Sequence, residues 1–462
     1  MPMQSQIVTV TASQKGRFVM GRFTRVRSLA TAAALVIAPG IAGAQVQGAA
    51  EPTFAKDVAP ILQRSCQNCH RAGEIAPMSL MTYEEVRPWA RSIRARVSSR
   101  EMPPWHVDKS VGIQSFKDDP SLSDEEISTI VSWIDGGAPL GNPADMPPPR
   151  QFANANSWQI GTPDVIVKFP KKLVPAEGPD IFGELFADIP ITEDRYIKAI
   201  QTRSATQASH KVVHHALSYS VDAATADSGM SEEGGQFLVE YASGKNAETY
   251  PENSGVLLKA GDKARVSYHL HSVGEDINAE IELGMVLYPA GYVPKYTRWS
   301  KQLAQPTTPL DVPPGEVART DGYVVLHKPA RIIAFQPHMH NLGARQCLEL
   351  IYPTQGASSK AEVVNCANFN NNWHLTYNYA DDAAPLVPAG TILHNMQWHD
   401  NTSNNPRALD PTNWVGNGSR TIDEMGFFWI GWIELTQEEY EQQLSERQAQ
   451  RAAQTQQQQQ QQ

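Results

Sequence analysis

Beyond residue 160, apolar and polar positions alternate with a period of two. Residues 164–169, 264–271, 279–283, 323–326 and 331–340 each place apolar side chains on one face, the signature of half-buried strands. Residues 52–140 follow a different rule. The run 54–62 leads into a pair of cysteines, and residues 83–99 carry apolar side chains at helical intervals. Residues 122–134 open with a capping-box pattern, Ser123 followed by Glu126, and continue as an amphipathic stripe. The proline-rich run 143–150 separates the two regimes as a linker, and a second such run, 306–314, divides the β region into two modules. From Glu438 the chain is glutamine-rich and low in complexity, the composition of a frayed helix running into a disordered tail.

Composition narrows the class. A chain of 462 residues is too long for one core, and 41% hydrophobic with 19% charged residues excludes collagenous, wholly disordered and multi-span membrane proteins. The 33 prolines and 31 glycines favour a turn-rich, β-heavy fold. The formal charge is −10, and the first 44 residues hold five basic side chains and no acid. Without them the remainder is more acidic still, a poor match for nucleic acid or an anionic membrane. The basic run 22–27, an apolar stretch too short and broken to span a bilayer, and Ala42-Gly43-Ala44 read as a signal peptide. Translation from Met20 instead of Met1 gives it a more usual length. A periplasmic or secreted protein without stable membrane insertion is expected.

The candidate chemistry starts at Cys66-Gln-Asn-Cys69-His70, the attachment pattern of heme c. Two thiols form thioethers to the vinyl groups and the adjacent imidazole is the proximal ligand. A zinc or redox CxxC is the alternative. Set at the end of a first helix, with an amphipathic helix closing the segment, the motif resembles a small class I cytochrome c domain. Met102, on a proline-stiffened loop, is the expected sixth ligand; Met78, Met81 and His106 compete.

Seven of the 13 histidines fall in three clusters: His210, His214 and His215; His269 and His271; His338 and His340. Residues two apart on a strand share a face, so His338 and His340, like His269 and His271, can converge on one ion. His214 and His215 are adjacent and join one site only at a bulge or strand end. Imidazole and thioether donors without carboxylates suit copper, with zinc as the alternative. Cys347 and Cys366 flank a hairpin whose loop centre lies midway between them, which predicts a disulfide in an oxidising compartment.

In order along the chain, His214-His215, His271-Ser-Val-Gly-Glu-Asp, His338-Met-His340-Asn-Leu-Gly and Thr421-Ile-Asp-Glu-Met425 resemble the copper type II, ascorbate-dependent monooxygenases, the family of peptidylglycine alpha-hydroxylating and dopamine beta-monooxygenases. The resemblance covers residues from about 160 to 436. It implies two jelly-roll β-sandwiches facing across a solvent-filled cleft, each with one copper. His214, His215 and His271 would bind the electron-storing copper; His338, His340 and Met425 would bind the copper that activates dioxygen. His210, His269, His394 and His399 receive no role. Two departures from the family stand out. Gln336 occupies the place of a carboxylate-gripping arginine, and Phe427 and Trp429 replace Asn and Tyr, which implies a neutral, apolar substrate.

The sequence therefore predicts a signal peptide (1–44), an all-α cytochrome c-like heme domain (45–142), a linker (143–157), two all-β antiparallel sandwiches (158–304 and 305–437) and a disordered tail (438–462). The expected function is hydroxylation of a C–H bond of a small molecule with dioxygen, using one covalent heme c, two coppers and electrons relayed through the heme from an external donor. The alternative is an exported electron-transfer or copper-binding protein without oxygenase activity. A structural β protein with an appended cytochrome leaves Met425 in its motif unexplained.

Overall fold

The computed structural model describes residues 51–460 apart from 73, 75, 153–156, 228–234, 243–244, 246, 307 and 354–359. The expected signal peptide and the tip of the disulfide hairpin lie outside the described residues.

The segment from residue 51 to 146 is helical where the apolar period required it. Helices α1 (Ala59–Ser65), α2 (Ala90–Ser98) and α3 (Asp124–Asp135) close around Phe54, Leu62, Leu80, Val86, Ile93, Ile130 and Trp133. Ser123 and Glu126 form the expected reciprocal cap of α3. The predicted helix over 83–99 is interrupted by a 3-10 turn, Arg87–Trp89. Pro88 has no N–H to give to an α-helical ladder, and its ring favours the first turn of a new segment.

Residues 101–122 depart from the helical expectation. Residues 105–117 leave the helices and lie along the far β region. Asp108 N–H donates to the Cys366 carbonyl (2.8 Å), Ile113 N–H to Val364 (2.9 Å) and Lys117 N–H to Asn378 (2.7 Å). Trp105 meets Tyr377 edge to face at 4.8 Å, and Val107 joins the β core. Gly112 turns this strap at φ +62°, where a Cβ would stand 2.0 Å from the Val364 carbonyl oxygen.

Two sandwiches follow. The first is built from β1 (Val165–Lys168), β2 (Ile181–Asp188), β3 (Arg195–Ser204), β4 (Val213–Val221), β5 (Gln236–Ala242), β6 (Ser254–Leu258), β7 (Lys263–Leu270) and β8 (Ile281–Leu287). Its sheets run β1-β8-β3-β6 and β2-β7-β4-β5, with one core between them. The second uses β9 (Tyr296–Leu303), β10 (Val317–Leu326), β11 (Ala330–Met339), β12 (Gly343–Ile351), β13 (Ala361–Asn368), β14 (Tyr377–Asn378), β15 (Thr391–Asp400) and β16 (Gly426–Glu434). Its sheets run β9-β16-β11-β14 and β10-β15-β12-β13. The second order repeats the first, strand for strand. β6 and β9 pair in parallel through Ser254 and Tyr296, so one sheet crosses both sandwiches.

Three boundaries differ from the sequence reading. β9 already pairs with β16, so the second sandwich begins with β9 at Tyr296 and not at 305. Part of the helical segment, the strap, belongs to the second sandwich's core. The tail is a helix, α4 (Gln437–Gln460), because Gln, Glu, Arg and Ala are good helix formers; Thr436 caps its first turn, and Arg447 donates to the Ala384 carbonyl at 2.6 Å. The disulfide is present as expected: Cys347 on β12 lies opposite Cys366 on β13 and the two are bonded. Among the described residues no helix is long and apolar enough to cross a membrane.

Candidate metal centres

The first histidine group forms where β4 meets β7. The register between them shifts between Val213 and His215, so His214 sits in a bulge and turns to the side that His215 already faces. That is the irregularity adjacent histidines need. Across the ladder from His215 stands His269, and the donor atoms of His214, His215 and His269 all lie within 4.8 Å of one another. His271 is displaced from this triple: it lies just past β7, its backbone N–H bonded to Val212, with its ring 6.1 Å from that of His214. Strand pairing puts His269, not His271, opposite His215, so the structure groups His214 and His215 with a histidine two residues before the third ligand expected from sequence.

His269 is oriented from behind. Its Nε2 lies 2.9 Å from Asp180 and its ring stacks on Phe182, so Nδ1 is the ring nitrogen not taken by Asp180. The Nδ1 atoms of His214 and His215 are buried without a hydrogen-bond partner among the described residues. Burial, reinforced by the neighbouring imidazoles, lowers the pKa of His214 to about 4 and holds His215 well below the usual histidine range. Both are therefore neutral donors at physiological pH, the form a metal requires.

The second group sits at the end of β11. His338 and His340 have ring centroids 5.5 Å apart. His338 stacks on Phe427, its cross-strand neighbour, at 4.4 Å, and its Nδ1 is buried without a partner. His340 donates from Nδ1 to the Asp423 carbonyl (3.0 Å), which leaves Nε2 as its donor atom. Glu424, fully buried, ties the group together. One carboxylate oxygen accepts from His340 N–H (2.7 Å) and Met425 N–H (3.1 Å), and the other from Leu342 N–H (2.8 Å). The same side chain thus fixes the backbone of an imidazole and of the thioether residue.

His374 lies between the groups, a residue that the sequence reading passed over. Its ring is 5.2 Å from His338 of the second sandwich and 5.6 Å from His215 of the first. Glu240, at the end of β5, holds its Nδ1 at 3.3 Å. Burial pushes the Glu240 carboxyl up, but the hydrogen bond from His374 and the nearby Lys245 ammonium prevail and hold it below the usual carboxylate range. The two groups meet through this side chain, in place of the implied solvent-filled cleft. No local signal betrays His374, since it stands alone in an Asn-rich loop with no second histidine at strand or helix spacing.

The three expected substrate residues are all covered by protein. Gln336 is 2% exposed and spends its amide on Glu240, Lys245 and Thr376. Phe427 lies against His338, and Trp429 stacks on Phe237 at 4.1 Å. A hollow of about 10 Å³, with room for about one water molecule, lies one residue away from His338 and is lined by His106, Pro337, Asn368, Phe369, Trp373 and Tyr377 among others. The other histidines are held structurally: His394 between Asp321 and Glu349 (2.8 and 2.7 Å), His399 by Thr320, and His210 by Tyr241.

The Cys66–His70 loop follows α1, and neither thiol is in a disulfide. Burial, with the Cys69 thiol beside it, pushes the Cys66 thiol up to about 12. His70 donates from Nδ1 to the Met78 carbonyl (3.2 Å), which fixes the tautomer and frees Nε2. Two adjacent unbonded thiols and an imidazole pinned from behind fit covalent heme attachment. Met78 packs against the helical core, and Met102 lies between α2 and the strap.

No family model and no curated protein matches the chain. Among solved structures, the CBM22-1-CBM22-2 tandem domain of Paenibacillus barcinonensis Xyn10C is similar over 60% of this chain and 98% of its own, at 9% identity and a TM-score of 0.18. The infectious bursal disease virus VP2 subviral particle is similar over 58% and 67%, at 8% identity and a TM-score of 0.19. Likeness at that level carries no functional argument.

Proposed function

We propose that the protein is a heme- and copper-dependent monooxygenase that hydroxylates a C–H bond of a neutral, apolar small molecule. The observation that carries the reading is the approach of His215 from one sandwich and His338 from the other to the two sides of His374, with the backbone of Met425 held by the same Glu424 carboxylate as that of His340. The interleaved strand order found in both sandwiches is that of a jelly roll, as the family resemblance implies.

When bound, copper supplies one-electron redox chemistry toward dioxygen, and heme c supplies one-electron storage. The chain's own residues supply the rest. Neutral imidazoles pinned from behind by Asp180 and the Asp423 carbonyl offer preset donor atoms. Met425 adds a soft thioether that favours the reduced ion. Cys66 and Cys69 are the attachment thiols and His70 the proximal imidazole; Met102 remains the sixth-ligand candidate. The strap ties the helical region to the sandwich that bears His338. The apolar substrate rests on the family resemblance, in which Gln336, Phe427 and Trp429 stand where polar anchors are kept.

One observation favours the second reading, electron transfer or copper binding without oxygenation: His374 occupies the space between the two groups. Oxygen uptake decides. With a reductant, neutral hydrophobic compounds should drive oxygen consumption and incorporate ¹⁸O from ¹⁸O₂, and Met425→Ala should abolish both. Copper-loaded protein that consumes no oxygen with any such compound, or that prefers glycine-extended peptides, would contradict the proposal.

A further inference from the structure

His374 has the geometry of a metal donor. Its ring is 4% exposed, and Glu240 faces its Nδ1. A carboxylate only accepts, so Nδ1 carries the proton and Nε2 keeps its lone pair. Nε2 is buried and has no partner among the described residues. Around the His374 ring stand those of His338, His215 and His214, with centroids 5.2, 5.6 and 6.2 Å away, whose Nδ1 atoms are likewise buried and unpartnered. Four unpaired imidazole nitrogens thus lie in one buried region. Native structures rarely leave buried polar atoms unsatisfied, and clustered lone pairs cannot satisfy each other. Metal ions held between neighbouring imidazoles would satisfy them.

The support behind His374 is equally specific. Glu240 comes from the first sandwich and His374 from the second, so the contact forms only when the sandwiches are docked. Glu240 is itself held by Gln336 and faces Lys245 at 3.7 Å, a buried network that fixes the carboxylate. Such a carboxylate behind an imidazole is the usual means of aiming a histidine at a metal.

We propose that His374 is a further metal ligand, aimed by Glu240, which joins the two histidine groups into one continuous imidazole array holding neighbouring ions. The inference rests on the metal-binding part of the proposed function and not on the oxygenation. Its test is titration of metal-free full-length protein with Cu(II) salt, followed by bound-copper analysis and electron paramagnetic resonance, for the wild type, His374→Gln and Glu240→Gln. Glutamine keeps a donor for Glu240 but removes the imidazole. His374→Gln should weaken one of the two ions at least tenfold and change its spectrum, and Glu240→Gln should shift the same signal less. If His374→Gln fails to fold, the Glu240→Gln spectrum decides. Wild-type affinities and unchanged spectra in the folded variants would overturn the inference. Normal copper binding without oxygen uptake would refute the oxygenase and leave His374 standing, whereas a wild type that binds no copper would end both.

Discussion

Glu424 stands beside the proposed ligands and never becomes one. It has no exposed surface, and its two oxygens take three backbone N–H groups that belong to His340, Leu342 and Met425. Replacing it with glutamine turns one of those oxygens into an NH₂ that confronts a donor. The cost should be about 1–3 kcal/mol of stability. The loosened ligands should lose roughly 10–100-fold in affinity for one copper, with the other ion unaffected. Denaturant unfolding and copper titration of Glu424→Gln check both figures; equal loss at the two sites would contradict the assignment. At this scale the sequence was informative where donors repeat at strand spacing, as at His338 and His340, which the structure brings together. It was blind to His374 and to the grouping of His269 with His214 and His215. Which of two histidines on one strand face reaches a partner depends on cross-strand register, which periodicity does not encode.

The strap carries the argument at the scale of elements. The edge of β13 would otherwise be open to foreign strands, and residues 105–117 cover it. Asp108 anchors the strap through Ser110 and through Arg345 at 2.7 Å, and these hydrogen bonds lower its carboxyl to about 2. A depressed carboxyl stabilises the fold above its ordinary range, near 3.8, and that contribution vanishes as the pH falls towards 2. The stability gap between wild type and Asp108→Asn should therefore be full at pH 6 and close between about pH 4 and 2. Urea midpoints across that range measure it, and a gap independent of pH would show that the anchor contributes nothing through its charge. Strands with period-two alternation were legible in the sequence, and so was the capped helix at Ser123. The strap was not, because its apolar residues, Trp105, Val107, Ile113 and Phe116, follow no helical or strand period. Their burial comes from a partner more than two hundred residues away.

Across the whole molecule, the repeated strand order gives two sandwiches built alike, fused by the β6–β9 pairing and bridged at Glu240 and His374. The β-rich class, the helical first segment and the disulfide followed from composition, period and spacing. The fused sheet and the closed contact between the histidine groups did not, since both depend on how two folded units dock. The account predicts that this assembly collects three redox metals. The most direct measurement is the metal content of the full chain exported from a heme- and copper-replete host, by elemental analysis with a hemochrome spectrum. One covalent heme iron and two coppers per chain are expected, with Met425→Ala losing one copper. Zinc at both histidine groups, or thiols at Cys66 and Cys69 that remain free of heme, would contradict it.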